Sequence, residues 1–405
     1  MDILSQIKPT KEEIIFLKKE ANLFLKELNH KLKKIRARAI IGGSFKKNTF
    51  LRGAKEIDIF VQFNYFIYKN QSQKLSSYLL KYLPKSSVIH GSRDYFQIKK
   101  KDILFEVVPV LAIKNAKQAI NVTDISPLHS SYISKHLTEK QSDEVRLLKQ
   151  FCRSNQIYGA ESYIQGFSGY ALEILILHYK SFHITLKKAS QWKDKTIIDT
   201  ARAFKNTKEL LSSLNAAKTR SPLIILDPVQ PERNIATALS KEKFEKFKKV
   251  ARAYLKKPSK AFFKEKTFDP NSIKDGFLLK VVPKEGKIDV IGSKLMKAFA
   301  FLKESLARGG FSLKESSWHW KKECYFYFRP KEKKLSKYEK HYGPFLDDII
   351  NLEKFRRKWK KYKIQKEKNR VFVNIPRKHQ TFKECLAFLL KDSYLKTKIK
   401  TIKIV

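Results

Sequence analysis

The chain has 405 residues, 42% of them hydrophobic, enough material for several packed domains, which excludes a small stapled module and a disordered tail. Lys and Arg outnumber Asp and Glu by 86 to 39, and a formal net charge of +47 repels itself unless a polyanion offsets it, so nucleic acid is the expected partner. No apolar run reaches the roughly 20 residues of a spanning helix, and Lys8, Lys11 and Glu12 stand where a signal sequence would be apolar, so no membrane partner and a cytoplasmic location are expected.

In chain order, Thr10 followed by Glu13 forms a capping-box pattern, and Ile14, Leu17, Ala21, Phe24, Leu25, Leu28, Leu32 and Ile35 then recur at helical spacing. The stretch ARAIIGGSF reads as a strand entering a glycine turn; EIDIFVQF, YFQIKK and DILFEVVPV read as further strands. From about Ser142 the pattern turns helical through DEVRLLKQFCRSN, SGYALEILILHYKSF and Ser240–Leu255. Pro258 and Ser259 mark a linker, followed by the strand FLLKVVP, a helix over about Ser293–Leu306 and the strand ECYFYFRP. The end is lysine-dense, and the alternation in KTKIKTIKIV predicts a strand pairing at a sheet edge. Cys152, Cys324 and Cys385 lack zinc or disulfide spacing and are expected in cores. No P-loop, dinucleotide-binding or HExxH pattern is present.

The segment from Gly42 to Val61 carries chemistry. Alternate strand residues share a face, so Glu56 and Asp58 point together while Ile57 and Ile59 pack inward. Two aligned acids repel unless a cation lies between them, and a pair of Mg²⁺ ions roughly 3.5–4 Å apart needs such hard ligands on one rigid wall. Gly42, Gly43 and Ser44 form a turn whose backbone N–H groups can approach phosphate closely. A third acid should come from the neighbouring strand; Glu106 is preferred, with Asp102 at even spacing on the same face.

The pattern GS…L.G..(E/D)IDIFV, followed by an acid in a VVP strand, resembles the polymerase-β-type nucleotidyltransferases. The stretches SPLH (126–129), DEVRLLKQFCRSNQIYGAE (143–161), GFSGYALEILILHYKSF (166–182) and DPVQPERNIATALS (227–240) resemble more narrowly the archaeal class I CCA-adding enzymes. The resemblance implies an α+β multidomain fold: a mixed-sheet nucleotidyltransferase head (1–140), a helical neck selecting the base (141–257), and an α/β body with a short basic C-terminal tail binding tRNA (258–405). It implies template-independent addition of CCA to tRNA 3′ ends from CTP and ATP with two Mg²⁺ ions. Glu56, Asp58 and Glu106 would be the catalytic metal ligands, and Gly43, Ser44, Lys47, Ser126, His129, Lys149 and Tyr158 would line the triphosphate. Arg233 would contact the incoming base. The lysine-rich end would grip the acceptor and TΨC stem through phosphates, and a homodimer is left open. The family places Asp where this chain has Glu106. The alternatives are a poly(A) polymerase-like terminal nucleotidyltransferase and a catalytically silent RNA-binding homologue.

Overall fold

Thr10 accepts a hydrogen bond from the Glu13 N–H at 3.2 Å and starts the helix Lys11–Leu32. Glu13 turns its own carboxylate elsewhere: Oε1 accepts from the Gly53 N–H at 2.7 Å, tying the helix start to the loop ahead of a strand. Leu17, Ala21, Phe24, Leu28 and Leu32 are buried at the predicted spacing, and Ile35 lies just beyond, in a 3-10 turn. The computed structural model describes residues 2–215, 219–265 and 268–405.

The helix covers one face of a five-stranded sheet formed by β1 (Ala37–Ile41), β2 (Glu56–Phe63), β3 (Ser87–Ile89), β4 (Tyr95–Lys100) and β5 (Ile103–Leu111), in the order β1-β2-β5-β4-β3. β2 and β5 run parallel; the other neighbours are antiparallel. Period-two patterning decides the faces: Ile57, Ile59, Val61, Phe105 and Val107 turn into the core, where the rings of Phe24 and Phe105 stack 4.3 Å apart. Asn29 brackets Ala39 of β1 with two hydrogen bonds, fixing the helix to the sheet edge.

A second core is built from the helices Ser126–His136, Glu139–Ser154, Gly169–Tyr179, Phe182–Ala189 and Lys241–Lys256, joined by the short parallel pair β6 (Thr196–Ile198) and β7 (Leu223–Ile225). Backbone contacts group both cores into one unit, Met1–Lys266, and the remainder into another, Thr267–Val405. Pro258 and Ser259 fall within the first unit, and Phe263 just beyond them buries in the helical core.

The second unit holds a four-stranded antiparallel sheet, order β14-β8-β10-β9, made of β8 (Phe277–Pro283), β9 (Leu313–Trp320), β10 (Cys324–Pro330) and β14 (Ile399–Ile404). The helices Ile288–Arg308 and Phe382–Leu389 cover its apolar face. The alternating C-terminal segment is indeed an edge strand, paired with β8. A second sheet, β11 (Tyr338–Phe345), β13 (Arg370–Pro376) and β12 (Ile364–Glu367), packs on the helix Ile349–Lys358 and was not expected from the sequence. All three cysteines are buried and free. Among the described residues no helix is long and apolar enough to cross a membrane.

Candidate active site

The parallel register of β2 and β5 sets Asp58 opposite Glu106, and the antiparallel register of β4 sets Gln97 opposite Glu106. Three polar side chains thus form a row across the sheet, with Glu56 one step along β2 on the same face. Gln97 Nε2 donates to Glu106 Oε1 at 2.6 Å and orients that carboxylate. Of the two candidate third acids, Glu106 stands in this row. Asp102 precedes β5 in a left-handed turn (φ 62°), its side chain is 74% exposed, and its ionic neighbours are Lys55 and Lys99.

The glycine turn lies directly over this row. Gly43 has φ 55° and opens the short helix Gly43–Lys46, and a Cβ there would fall 1.5 Å from Asp58 Oδ2. Gly42 donates its N–H to the Asp58 carbonyl at 2.8 Å, and a Cβ on it would meet the Phe60 ring at 2.2 Å. Both glycines are therefore required for the turn to approach the acids. A cavity of about 240 Å³ opens here, lined by Ser44, Thr49, Glu56, Asp58, Lys149, Arg153 and Tyr158 among others.

Burial and the nearness of like charge show in the protonation of Glu56 and Asp58. Burial first, then the charges of Glu106 and Asp58, push the Glu56 carboxyl up to about 7. Asp58 is raised as well, again chiefly by burial and then by Glu106, against the opposing pull of Lys47 and Lys149. A carboxyl whose folded-state pKa lies above its unfolded value binds the proton more tightly when folded. Stability should then fall as pH rises from about 4.5 to about 7. We predict that the melting temperature of the metal-free protein drops across that window and that Glu56→Gln flattens the slope. Parallel pH profiles for the two proteins in calorimetry would refute this.

The cationic wall is held by a carboxylate that sequence reasoning missed. Glu173 lies fully buried in the otherwise apolar helix Gly169–Tyr179. Lys47 Nζ donates to its Oε2 at 2.6 Å, while Lys149 Nζ (3.0 Å) and Thr49 Oγ1 (2.6 Å) donate to Oε1. Burial would raise this carboxyl, but Lys149 and Lys47 outweigh it and hold it down at about 2. Lys149 also donates to the Thr49 carbonyl at 3.1 Å, so both lysines are fixed beside the glycine turn. Tyr158, at the same wall, is pushed up to about 12 chiefly by burial and stays a hydrogen-bond donor at neutral pH.

A second buried acid, Asp227, gathers the remaining residues. His129 Nε2 lies 2.7 Å from its Oδ2, Tyr170 donates to Oδ1 at 2.9 Å, and Arg233 Nη1 stands 3.6 Å from Oδ2. Burial opposes the charge of Asp227, but His129, the Val229 N–H and Arg233 keep its carboxyl below the ordinary range. An ionised carboxylate can only accept, so His129 carries its proton on Nε2. Lys47 sits 5.9 Å from the Tyr170 ring centroid and joins this cluster to the lysine wall. Ser126 begins the helix whose next turn carries His129. Neither residue is among those lining the acid cavity.

Among the described residues no group of three acidic, histidine or cysteine side chains is already gathered closely enough to hold a metal ion by itself. The donor chemistry still fits a hard divalent cation: three carboxylates share one wall, and burial, then neighbouring charge, raises Glu56 and Asp58 so that they retain protons a cation would displace. Mg²⁺ is commonly held this way, by a few carboxylates completed with substrate phosphates.

Comparison with known proteins places the chain. Residues 143–264 match the family model for the tRNA nucleotidyltransferase second domain, and residues 283–401 that for the CCA-adding enzyme C-terminal domain. The CCA-adding enzyme of Sulfurisphaera tokodaii is 32% identical over 85% of this chain and 80% of that protein. The CCA-adding enzyme of Nanoarchaeum equitans is 33% identical over 81% of each. Among solved structures, a cytoplasmic RNA terminal U-transferase matches with a TM-score of 0.50 at 14% identity, covering 66% of this chain and 97% of that one, a likeness of fold alone.

Proposed function

Since the chain belongs to the CCA-adding enzyme family of nucleotidyltransferases, we propose that it adds C, C and A to tRNA 3′ ends, taking CTP and ATP without a template. The observation that carries this reading is the row of Asp58 and Glu106 across two parallel strands beneath the Gly42–Ser44 turn. Glu56, Asp58 and Glu106 would hold two Mg²⁺ ions. Those ions, when bound, would lower the cost of deprotonating the attacking 3′-hydroxyl and neutralise charge on the leaving pyrophosphate.

The protein's own side chains position the rest. Lys47 and Lys149, held by Glu173, present fixed cations to the triphosphate and need no reorganisation when it arrives. Ser44, Tyr158 and the turn N–H groups add donors beside them, and Arg153, at the same cavity, adds a further cation. Arg233 carries five donors, of which the contact to Asp227 engages one nitrogen, leaving others for acceptor atoms on the incoming base. Asp227 holds Arg233 and His129 together, so base and phosphate contacts share one anchor. The tRNA acceptor and TΨC stem would be held through backbone phosphates by the basic second unit.

The test is single-turnover extension of a tRNA lacking its 3′ CCA, resolved nucleotide by nucleotide. CTP alone should add two residues, and CTP with ATP should stop after the third. Long tails from ATP alone would replace this reading with a poly(A) polymerase-like one. No extension despite tight, salt-sensitive tRNA binding would identify a silent RNA-binding homologue.

A further inference from the structure

In the second unit one core lies under the β14-β8-β10-β9 sheet and another under the β11-β13-β12 sheet. Where they meet, a cavity of about 460 Å³ remains between the helices Ile288–Arg308 and Phe382–Leu389 and the segment that leaves β13. Its walls are mainly apolar, with Phe301, Cys385 and Leu389 among them. Phe388 stands at the same cavity with 57% of its surface exposed, its ring 4.8 Å from that of His379.

Arg308, Arg377, Lys378 and His379 line the cavity together with two acids, Glu339 and Asp392. Both acids are engaged: Glu339 Oε2 accepts from Arg377 Nη1 at 2.7 Å, and Asp392 accepts the Tyr394 N–H at the start of the helix Ser393–Lys398. Two nitrogens at this place, Arg377 Nε and His379 Nε2, are buried without a hydrogen-bond partner among the described residues. Unpaired buried polar atoms beside an unfilled apolar space are costly together, and a ligand with a flat apolar face and polar edges relieves both.

We propose that this cavity receives one unpaired nucleotide of the RNA substrate, its base against Phe388 and Phe301 and its phosphate toward Arg377 and Arg308. The volume suits one nucleotide, at the lower end of the few hundred Å³ typical of small-ligand sites. Aromatic faces interleaved with cations are how proteins hold unpaired bases without reading them. The net charge of +47 favours an anionic polymer over a peptide. This inference rests on the reading that the chain binds tRNA.

The test uses the full chain and a tRNA lacking its CCA end, at one fixed salt concentration. Phe388→Ala and Arg377→Gln should each weaken tRNA binding and raise its KM about tenfold, while kcat and the KM for CTP stay unchanged. Phe388→Tyr, which keeps a stacking ring, should restore affinity. Ultraviolet irradiation of the wild-type complex should join an unpaired nucleotide to the peptide carrying His379 or Phe388, a readout independent of how any variant folds. Wild-type affinity in both substituted proteins, with cross-links confined elsewhere, would overturn the pocket and leave the tRNA reading intact. A wild-type chain that binds no tRNA would overturn the reading beneath it.

Discussion

Asp58→Asn should reduce single-turnover tRNA extension by about three orders of magnitude, the equivalent of ~4 kcal/mol of transition-state stabilisation, while tRNA affinity stays within about twofold. The asparagine keeps the shape of the side chain but removes the charge that faces Glu106 across β2 and β5. Stability should move the other way. Burial and Glu106 raise the Asp58 carboxyl in the folded protein, so its ionised form opposes folding near neutral pH and the amide relieves that opposition. A melting temperature at or above that of the wild type, with catalysis lost, marks an acid kept for chemistry. Extension within tenfold of wild type would remove Asp58 from the catalytic set.

The second large effect concerns Gly43. An alanine there must hold φ 55°, and its Cβ would lie 1.5 Å from Asp58 Oδ2. The left-handed conformation alone costs about 1–2 kcal/mol. The collision matters more, because the turn and the carboxylate must part, and a displacement of about 1 Å at a reacting centre costs about 100-fold in rate. Gly53 supplies the control: it has φ 76°, and none of the described residues lies within 4 Å of its added Cβ. Gly53→Ala should lose some thermal stability and keep its extension rate, whereas Gly43→Ala should lose the rate. Equal rates in the two variants would show that the turn is not held against the acids.

Much of this site is legible in the sequence because its main features are local. Glu56 and Asp58 are two residues apart on a strand, and the glycine turn lies close before them, so periodicity alone aligns them. Glu106 follows from the same rule applied to a second strand, but the rule also admitted Asp102. The chain reverses at Lys101 and Asp102, both with positive φ, and even spacing carries no meaning across a turn. Glu173 and Asp227 were out of reach for a different reason. Their partners lie as far as 126 and 98 residues away, so only tertiary packing brings them together. One local sign was available: a single carboxylate in the apolar run GYALEILILHY must have partners to be buried there. The β11-β13-β12 sheet escaped notice because YEKHYGPF alternates weakly and leaves most of its side chains exposed.

The clamp of Glu173 on Lys47 and Lys149 bears on turnover. Two lysines sharing one buried carboxylate leave a surplus of a single positive charge among those three groups. On the proposed reading pyrophosphate would depart past these lysines after each nucleotide is joined, and a wall with both lysines uncompensated would retain that polyanion strongly in a low-dielectric cleft. The Glu173 carboxylate would then cap the affinity for any polyphosphate, spent or fresh. An enzyme that repeats its reaction several times on one RNA end benefits from letting go as readily as it binds.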